Sequence, residues 1–588
     1  MRVAVIDYDL CKPDKCGNFL CARLCPVNRE GIECITKHQR EEGGHKRLLP
    51  LINEGTCIGC GICVTRCPFH AISIVNTPEQ LQERPVHRYG ENAFALFRLP
   101  IPVKGVVGLL GPNGCGKSTA LKILSGQLPP NIGVFDSRQG NNANGKPQQD
   151  AQWEELIKIN RGTELQRYLE EMRNREIRTV LKPQNVAELP GAVSGTAGKF
   201  ITNDGIIKKL ELQNCVDREL KELSGGELQR VAIAVAMSKD ADIYYFDEPT
   251  SYLDAGQRFK VARAIKELAE KKFVMVIEHD LATLDFLADR VHIFYGVAGT
   301  YGIVSKPYST KQGINIFLGG VIKEDNVRIH DPISFAHTSQ EGMRKRKEQL
   351  LSFSNIKKRY PGFSLEVEEG EINRGEVLGI IGANALGKST FAKILAGETE
   401  AEGNVSKKLK ISYKPQYLSA DFEGTVAELI ESQKLNYDQY TLLARQMDME
   451  RLLEKQVKAL SGGELQRTAV LIALSRECDM FLLDEPSAYL DVNQRLVIAK
   501  AIKGKTAMVI DHDLLFLSYI ADRTMLFSGV PGKEGSAEML PLKEGFNKFL
   551  RQIDITFRRD EQTKRPRANK ADSQMDREQK ERGEYFLF

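Results

Sequence analysis

The sequence predicts an α/β protein in which a small cysteine-rich domain precedes two related α/β units. Nine of the twelve cysteines lie in the first 67 residues. The segment LSGGELQR occurs twice, at 223–230 and at 460–467. Because further motifs recur in the same order around both copies, the rest of the chain is a duplicated unit. A length of 588 residues is sufficient for such an arrangement, since domains average about 150 residues.

The composition is that of a globular protein, with 42% apolar and 27% charged residues. No apolar run approaches the roughly 18–20 residues of a membrane span, and the N-terminal segment lacks the apolar region of a signal peptide. We therefore expect a cytoplasmic protein in a reducing compartment, where clustered cysteines bind metal more often than they form disulfides. A net charge of +4 neither requires nor excludes a nucleic-acid partner.

The two units carry the same motifs but differ in length. The interval from Lys117 to Gln184 is 67 positions, whereas that from Lys388 to Gln416 is 28, so the first unit contains a net insertion of 39 residues. We predict a helix–loop–helix over about 138–180, with Asp150 and Thr163 as N-caps. The recurring pairs are GPNGCGKST (111–119) with GANALGKST (382–390), YYFDEPTSYLD (244–254) with FLLDEPSAYLD (481–491), and VMVIEHDL (274–281) with AMVIDHDL (507–514).

Each glycine-rich segment follows an apolar run and precedes a helical one, as a phosphate-binding loop requires. Its backbone N–H groups face phosphate oxygens, its lysine reaches the β- and γ-phosphates, and its serine binds Mg²⁺. Ala385 stands where the first loop has Gly114, which costs about 1 kcal/mol if that position has a positive φ. The predicted ATP-binding residues are Gly111, Asn113, Gly114, Gly116, Lys117, Ser118 and Thr119 in the first loop, and Gly382, Asn384, Gly387, Lys388, Ser389 and Thr390 in the second.

An acidic pair ends an apolar run in each unit. The first acid, at the C-terminal end of a buried strand, is placed for a Mg²⁺ site, and the second for polarising the attacking water. A histidine follows another apolar run and is placed to sense the γ-phosphate. These residues are Asp247, Glu248 and His279 in the first unit and Asp484, Glu485 and His512 in the second.

The motifs and their order resemble ATP-binding-cassette nucleotide-binding domains over roughly residues 80–545. The resemblance implies two competent ATP sites, with Gln184 and Gln416 as Gln-loop residues that also ligate Mg²⁺. It further implies head-to-tail packing, in which the LSGG segment of each unit binds the ATP held by the other. The residues concerned are Ser224, Gly225 and Gly226 opposite Lys388, and Ser461, Gly462 and Gly463 opposite Lys117.

In such domains an aromatic side chain upstream of the phosphate loop stacks on adenine. Tyr89 and Tyr360 both lie 28 positions before the loop lysine of their unit. Phe94 and Phe363 are the alternatives, and ordinary packing is an equally good explanation for the tyrosines.

The cysteine spacing points to iron–sulfur clusters. The run Cys57-x2-Cys60-x2-Cys63-x3-Cys67-Pro has the bacterial ferredoxin spacing, in which the fourth cysteine ligates the other cluster. An earlier, looser run ends in the same way. By that rule one [4Fe–4S] cluster uses Cys11, Cys16, Cys21 and Cys67, and the second uses Cys57, Cys60, Cys63 and Cys25. Zinc is the alternative, although it usually takes two separated cysteine pairs. Cys34 is left over.

A cysteine domain of this type ahead of two cassettes resembles the ABC-E family, or RNase L inhibitors, which are ribosome-recycling ATPases. The resemblance implies an ATPase that binds ribosomes carrying a release or rescue factor and splits the subunits. It then remains on the small subunit, where initiation factors are further partners. The insertion and basic hinge residues such as Arg344, Lys345 and Arg346 would contact small-subunit rRNA and protein. A monomer with no membrane partner is expected.

Five segments are predicted. They are an iron–sulfur domain at 1–78, a first nucleotide-binding domain at 79–315 (the first unit), a hinge at 316–345, a second nucleotide-binding domain at 346–545 (the second unit), and a C-terminal hinge and tail at 546–588. The charged tail alone is predicted to fray, unless it docks between the units. Two other functions remain open: a redox-coupled ATPase that uses the clusters for electron transfer, and the ATPase half of a transporter.

Overall fold

The computed structural model describes residues 2–8, 10–42, 45–76, 84–134, 146–333, 348–406, 408–416 and 421–587. Within these ranges, no helix combines enough length and apolar character to cross a membrane. The hinge residues Arg344, Lys345 and Arg346 lie outside the described residues, as does the start of the predicted insertion.

The cysteine domain contains two antiparallel strand pairs and three short helices. Strand β1 pairs with β4, and β2 pairs with β3. Apolar side chains from these strands form one small core together with several of the cysteines. The strands are β1 Arg2–Ile6, β2 Ile35–Glu42, β3 His45–Ile52 and β4 Ile72–Asn76, and the helices are α1 Leu20–Leu24, α2 Pro26–Arg29 and α3 Ile62–Arg66.

The first unit is built on parallel strands that are almost entirely buried. Strands β8, β9 and β10 are parallel neighbours, and β7 lies beside β10 and pairs in parallel with β11. The strands are β5 His87–Arg88, β6 Ala95–Phe97, β7 Gly105–Leu110, β8 Thr179–Lys182, β9 Ile243–Asp247, β10 Phe273–Ile277, β11 Arg290–Val297, β12 Tyr301–Val304, β13 Tyr308–Ser309, β14 Val321–Ile322 and β15 Val327–Arg328. The helices are α4 Lys117–Leu124, α5 Lys146–Ile159, α6 Glu164–Arg173, α7 Leu189–Ala192, α8 Asp204–Lys209, α9 Gly225–Ser238, α10 Ala255–Ala269, α11 Leu281–Leu287 and α12 Thr310–Gly319.

The second unit repeats this plan in one nine-stranded sheet of order β19-β16-β17-β24-β23-β18-β22-β21-β20. The strands from β23 to β20 are parallel. In the rest of the sheet the neighbours are antiparallel, except for the parallel pair β17–β24. The strands are β16 Gln349–Tyr360, β17 Phe363–Asn373, β18 Val377–Ile381, β19 Glu402–Val405, β20 Ile411–Lys414, β21 Met480–Asp484, β22 Ala507–Ile510, β23 Arg523–Val530 and β24 Glu534–Pro541. The helices are α13 Lys388–Leu395, α14 Val426–Glu431, α15 Tyr437–Gln446, α16 Gly462–Leu474, α17 Val492–Ile502, α18 Leu514–Ile520 and α19 Leu542–Gln552.

The insertion of the first unit contains the two predicted helices, α5 and α6. Thr163 caps α6 as predicted, because its hydroxyl accepts a hydrogen bond from the Gln166 N–H at 3.3 Å. The prediction for Asp150 was wrong, since α5 begins at Lys146. Pro147 is tolerated in the first turn, so the helix starts before the acid. The Tyr168 hydroxyl of α6 lies 2.6 Å from that of Tyr245 and fixes the insertion to the sheet.

The C-terminal tail is folded and packs against both units. It contains strands β25 Phe557–Arg559 and β26 Pro566–Ala568 and helix α20 Gln574–Glu581. Arg565 pairs with Asp285 of α11 in the first unit, and both side chains are fully buried. The ring of Phe586 stacks on Phe546 of α19, with centroids 4.9 Å apart. This helix begins in the second unit at Leu542 and continues past the predicted boundary at 545. Of the two predicted alternatives, fraying and docking between the units, the structure shows docking.

Candidate active sites

Each phosphate loop lies between a buried strand and a helix. Gly116 precedes α4 with φ of 87°, and Gly387 precedes α13 with φ of 90°. A Cβ atom added at Gly116 would come within 2.8 Å of the Phe94 ring, and one at Gly387 within 3.0 Å of the Phe363 ring. Only glycine fits both the backbone conformation and the space. The two phenylalanines therefore pack directly on the phosphate loops.

The loop lysines lie folded back on their own loops. Lys117 Nζ donates to the carbonyls of Gly111 at 2.9 Å and Pro112 at 2.8 Å, and Lys388 makes the equivalent two bonds. Burial lowers the pKa of Lys388 to about 8, and it also lowers the pKa of Lys117. An incoming phosphate would favour the charged form of these lysines and give them stronger acceptors than carbonyls.

The Ala385 position has a left-handed backbone in both units, with φ of 76° at Gly114 and 59° at Ala385. Changing Ala385 to Gly is therefore expected to raise the free energy of unfolding of the second unit by up to about 1 kcal/mol. Gly114→Ala should lower that of the first unit by at least as much, because the new Cβ would lie 3.1 Å from the Gly299 nitrogen. Scanning calorimetry of the full chain measures both changes. Equal transitions for wild type and Ala385→Gly would contradict this reading.

Two buried aspartates lie beside the loop serines. Burial raises the pKa of Asp247 and of Asp484 to about 6, although the nearby hydroxyls of Ser118 and Ser389 oppose that shift. Among the described residues, Oδ1 of Asp247 and both carboxylate oxygens of Asp484 accept no hydrogen bond. Buried carboxylate oxygens without donors are suited to a divalent cation, so these residues fit Mg²⁺.

In each unit the glutamate contacts the predicted Gln-loop glutamine and lies near the predicted histidine. Gln184 Nε2 donates to Glu248 Oε1 at 2.6 Å, and His279 Nε2 lies 3.4 Å from the same oxygen. In the second unit the corresponding distances are 2.6 Å from Gln416 and 3.5 Å from His512 to Glu485. Burial opposes ionisation of Glu248, but the His279 hydrogen bond and the Lys117 charge hold its pKa at about 2. An ionised carboxylate here can orient and polarise a water molecule.

The two units meet at their phosphate loops, in agreement with the head-to-tail packing that the family resemblance implied. Asn113 N donates to Asp491 Oδ2 at 3.2 Å, and Asn384 N donates to Asp254 Oδ2 at 2.9 Å, so the YLD segment of each unit contacts the phosphate loop of the other. The rings of Tyr252 and Tyr489 meet edge-on between them, 5.9 Å apart. Asp254 and Asp491 were not among the predicted site residues, although the repeated YLD motif contained them.

The LSGG serines begin the two signature helices, α9 and α16. Each accepts a hydrogen bond from the glutamate N–H three residues later, and that glutamate bonds back to the serine. These are the hydrogen bonds that the described residues give to Ser224 and Ser461, within their own helix starts. The contacts described between a unit and the opposite phosphate loop are therefore those of Asp254 and Asp491, and the predicted LSGG contacts remain predictions.

The predicted adenine-binding tyrosines are partly exposed near the loops. The Tyr89 hydroxyl lies 3.1 Å from Thr119 Oγ1, and the Tyr360 ring lies 5.4 Å from the Lys358 ammonium. The alternatives Phe94 and Phe363 lie deeper, on the loop glycines. The structure does not decide whether the tyrosine or the phenylalanine of each unit stacks on adenine, so both alternatives remain.

Cysteines of both runs lie near one another in the cysteine domain. Burial raises the pKa of Cys11 to about 12, and the charges of Cys21, Cys67 and Cys16 act in the same direction. The pKa of Cys63 is raised to about 12 by burial and by Cys57, Cys21 and Cys60. Cys34, which belongs to neither run, contacts Cys25, and burial together with the charge of the nearby Cys57 raises its pKa. Cys67 of the second run thus acts on Cys11 of the first, as cross-ligation would require. Among the described residues no three ligand side chains are assembled for a metal ion, and the two ligand sets remain predictions.

The cysteine domain is fastened to the loop that carries Tyr89. Arg88 forms a two-bond ion pair with Glu54. The Asn92 side chain accepts from the Ile52 N–H at 2.7 Å and donates to the carbonyls of Ile52 at 2.9 Å and Ala4 at 3.3 Å. Asn92 is 2% exposed, so these bonds are shielded from water.

Asn92→Ala is expected to loosen the cysteine domain from the first unit. It leaves the Ile52 N–H and two carbonyls without partners, at a cost of about 1–3 kcal/mol. Hydrogen exchange at the amides of Ile6 and Ile52 should accelerate, while ATP-site amides keep their protection. Asn326→Ala is the control, because Asn326 shares the positive φ but is not among the residues that hold the cysteine domain. Equal exchange in both variants would refute the assigned role of Asn92.

Three family models match the chain, in four stretches. The model described as ABC transporter matches residues 97–251 and 366–488. A possible Fer4-like domain in RNase L inhibitor matches 1–33, and a 4Fe–4S binding domain matches 50–73.

Relatives match over the whole chain. Translation initiation factor RLI1 of Saccharomyces cerevisiae is 42% identical over 100% of this chain and 98% of its own. The chain belongs to the ABC-E family of RNase L inhibitors. An uncharacterized ABC transporter ATP-binding protein of Methanocaldococcus jannaschii is 47% identical to this ABC-E chain, covering 100% of it and 97% of the relative.

Two solved structures resemble the ABC-E fold closely. A model of ribosome-bound archaeal Pelota and ABCE1 has a TM-score of 0.90 and 50% identity, with 100% of this chain and 99% of that chain covered. The crystal structure of a complex of archaeal ribosomal stalk protein aP1 with the archaeal ribosome recycling factor aABCE1 has a TM-score of 0.80 and 48% identity, with 87% and 100% covered. As an ABC-E protein, the chain is an ATP-hydrolysing enzyme with an iron–sulfur domain.

Sequence reasoning missed several buried residues of the ABC-E sites. Glu278 accepts hydrogen bonds from Thr250 Oγ1 at 2.5 Å and from the His279 N–H at 2.8 Å, and so links the acidic loop to the histidine. In the second unit Asp511 accepts hydrogen bonds from the Ser487 N–H and hydroxyl and from the N–H of Asp513, the residue after the histidine. Both precede the histidine in the repeated VMVIEHDL and AMVIDHDL motifs, so the repeat itself was the available signal.

Proposed function

We propose that this ABC-E protein is a ribosome-recycling ATPase that splits ribosomes into subunits by closing its two ATP sites. The observation that carries the proposal is the bond network of Asn92 and Arg88, which joins the cysteine domain to the loop beside the first site. Movement at that site therefore reaches the domain that would press on the ribosome. The relatives named as translation and ribosome recycling factors support this assignment.

The site residues divide the work. Lys117 and Lys388 would exchange their own loop carbonyls for phosphate oxygens when ATP binds. Asp247 and Asp484, with the hydroxyls of Ser118 and Ser389 and the amides of Gln184 and Gln416, would hold Mg²⁺. When bound, this ion neutralises charge on the phosphates. Glu248 and Glu485 would hold and polarise the attacking water. His279 and His512, which lie beside them, would sense the γ-phosphate.

Closure is the mechanical step. Asp254 and Asp491 already bond to the opposite loops, so ATP bound there would draw the LSGG serines onto its γ-phosphate. Hydrolysis removes that phosphate and with it the contact that favours the closed state. Each cycle would thus close and reopen the interface between the units once.

The finer assignments are part of the proposal. Two [4Fe–4S] clusters would be held by the two cysteine sets, and they would brace a domain too small to bury a large core. The protein would act as a monomer in the cytoplasm, with release or rescue factors as partners. It would remain on the small subunit, where initiation factors follow. The redox-coupled alternative is not favoured, because several relatives that match the whole chain are named as translation initiation factors.

A density-gradient assay tests the function. Ribosomes from the same organism are mixed with this chain, ATP and a Pelota-type rescue factor, and the subunit peaks are measured. We expect ATP-dependent conversion of whole ribosomes to subunits, with the chain migrating with the small subunit. Intact ribosomes at saturating factor and ATP would disprove the proposal. A strong dependence of splitting on the oxidation state of the clusters would favour the redox alternative.

A further inference from the structure

The two candidate catalytic glutamates share a strained backbone. Glu248 has φ of 46° and Glu485 has φ of 49°, the left-handed region that favours glycine. A residue with a side chain stays in that region only where its surroundings hold it. Their N–H groups are fixed by the next strand, since Glu248 N donates to the Ile277 carbonyl at 3.1 Å and Glu485 N to Ile510 at 2.8 Å. What fixes the carbonyl side is a separate set of contacts.

A buried lysine grips those carbonyls in both units. Lys182 Nζ donates to the carbonyls of Asp247 at 3.1 Å and Glu248 at 3.4 Å. Lys414 Nζ donates to Asp484 at 2.7 Å and Glu485 at 3.1 Å. Lys182 is 1% exposed and Lys414 is 2% exposed. Burying an ammonium group is costly unless it is hydrogen-bonded. The presence of a buried lysine at this position in both units therefore points to a function for its two bonds.

A glutamine of the signature helix completes the grip. Gln229 Nε2 donates to the Glu248 carbonyl at 2.7 Å, and Gln466 Nε2 donates to the Glu485 carbonyl at 2.7 Å. Both side chains are buried. Each lies on the helix that the LSGG serine begins, five residues after that serine.

The segment that supplies the lysine also holds the other end of the glutamate. In the sequence LKPQ, Lys182 bonds the Glu248 carbonyl and Gln184 bonds its carboxylate. A single residue, Pro183, separates them and limits how far they can move apart. YKPQ in the second unit makes the same two contacts. The backbone and the carboxylate of the glutamate are therefore set by one short, stiff element.

From this geometry we infer that Lys182 with Gln229, and Lys414 with Gln466, are positioning residues for ATP hydrolysis. They hold the carbonyl of the catalytic glutamate and with it the left-handed backbone that aims its carboxylate at the water. They touch neither ATP nor the water. The inference rests on the catalytic role proposed above for Glu248 and Glu485.

The test uses the full chain and its ATPase activity without ribosomes. Lys182→Met with Lys414→Met keeps the side-chain length and removes the donors. We expect kcat to fall about tenfold to a hundredfold, as misplacement of a reacting group does. KM for ATP should stay within about twofold, because the loss affects only the chemical step. Gln229→Leu with Gln466→Leu removes the second donor from a different element, so it carries the test if the lysine variant does not fold.

The matched controls lie on the same two strands. Thr179 Oγ1 donates to the Ser125 carbonyl at 2.9 Å from β8, and Ser412 Oγ donates to the Ala473 carbonyl at 2.7 Å from β20. Thr179→Val with Ser412→Ala therefore also removes donors to backbone carbonyls, away from the glutamates. These variants should keep the wild-type kcat.

A second background separates positioning from general damage. In a chain that already carries Glu248→Gln and Glu485→Gln, the lysine substitutions should lower the residual turnover no further, since they act through the glutamates. If the lysine substitutions lower the residual turnover of the Glu→Gln chain further, the positioning role is overturned. Unchanged kcat in lysine and glutamine variants that fold would also overturn it, and neither result would affect the catalytic role of the glutamates. Wild-type turnover in the Glu→Gln chain itself overturns the catalytic role of the glutamates and this inference with it.

Discussion

A chain with both Glu248→Gln and Glu485→Gln is expected to bind ATP, stay closed and turn over at least about a hundredfold more slowly. Each glutamate is ionised in the folded protein, because its histidine and the loop lysine lower its pKa. Glutamine keeps the size of the side chain but cannot polarise the water in the same way. Single-turnover hydrolysis of labelled ATP and retention of that ATP on the protein measure the two parts of the prediction.

The single variants sharpen this result. Because the two sites share one interface, the loss in the double variant should differ from the product of the two single losses. On ribosomes, the double variant should accumulate on the small subunit. Glu376→Gln is a suitable control, since Glu376 is also buried and paired, with Arg523, but lies outside the sites. Normal steady-state turnover by the double variant would show that other groups activate the water.

Asp285→Ala is expected to release the C-terminal tail from the first unit. Asp285 is fully buried and pairs with Arg565 and with Arg567, the latter at 3.0 Å. Removing it leaves buried cationic charge without its partner, which costs about 3–5 kcal/mol. Because α11 begins two residues after His279, the first site should be affected more than the second. Hydrogen exchange over residues 557–587 and thermal unfolding of the full chain measure the change.

Two further variants test whether the Asp285–Arg565 pair holds the tail. Lys570→Ala breaks the exposed pair of the tail with Asp289, which is worth at most about 1 kcal/mol, so it should change exchange little. Asp285→Ser introduces the residue type that stands at the matching position, Ser518, of the second unit. If Asp285→Ala and Lys570→Ala behave alike, the buried pair does not hold the tail.

The sequence predicted what local patterns can encode. The duplicated motifs located both phosphate loops, and the ferredoxin spacing assigned Cys67 to the first run, where its charge acts on Cys11. The docking of the tail was beyond reach of such patterns. From its sequence alone, a charged segment that docks cannot be distinguished from one that stays in solvent. The partner of Arg565 is 280 positions away in the chain.

The positioning lysines show a second limit. KPQ is visibly repeated at 182–184 and 414–416, yet the acceptors are backbone carbonyls, which every residue possesses. No residue type marks such a contact in a sequence. The left-handed φ of Glu248 is equally hidden, because it follows from the tertiary contacts and not from the preference of glutamate.

The folded tail gives the chain a second crossing between its halves. It leaves α19 of the second unit, pairs with α11 of the first and returns to stack Phe586 on Phe546. Together with the peptide chain that joins them, the tail keeps the halves from diffusing apart between cycles. Their re-association is therefore a first-order event, with an effective concentration in the millimolar range for short connections. The rate of closing should be the same at nanomolar and micromolar protein.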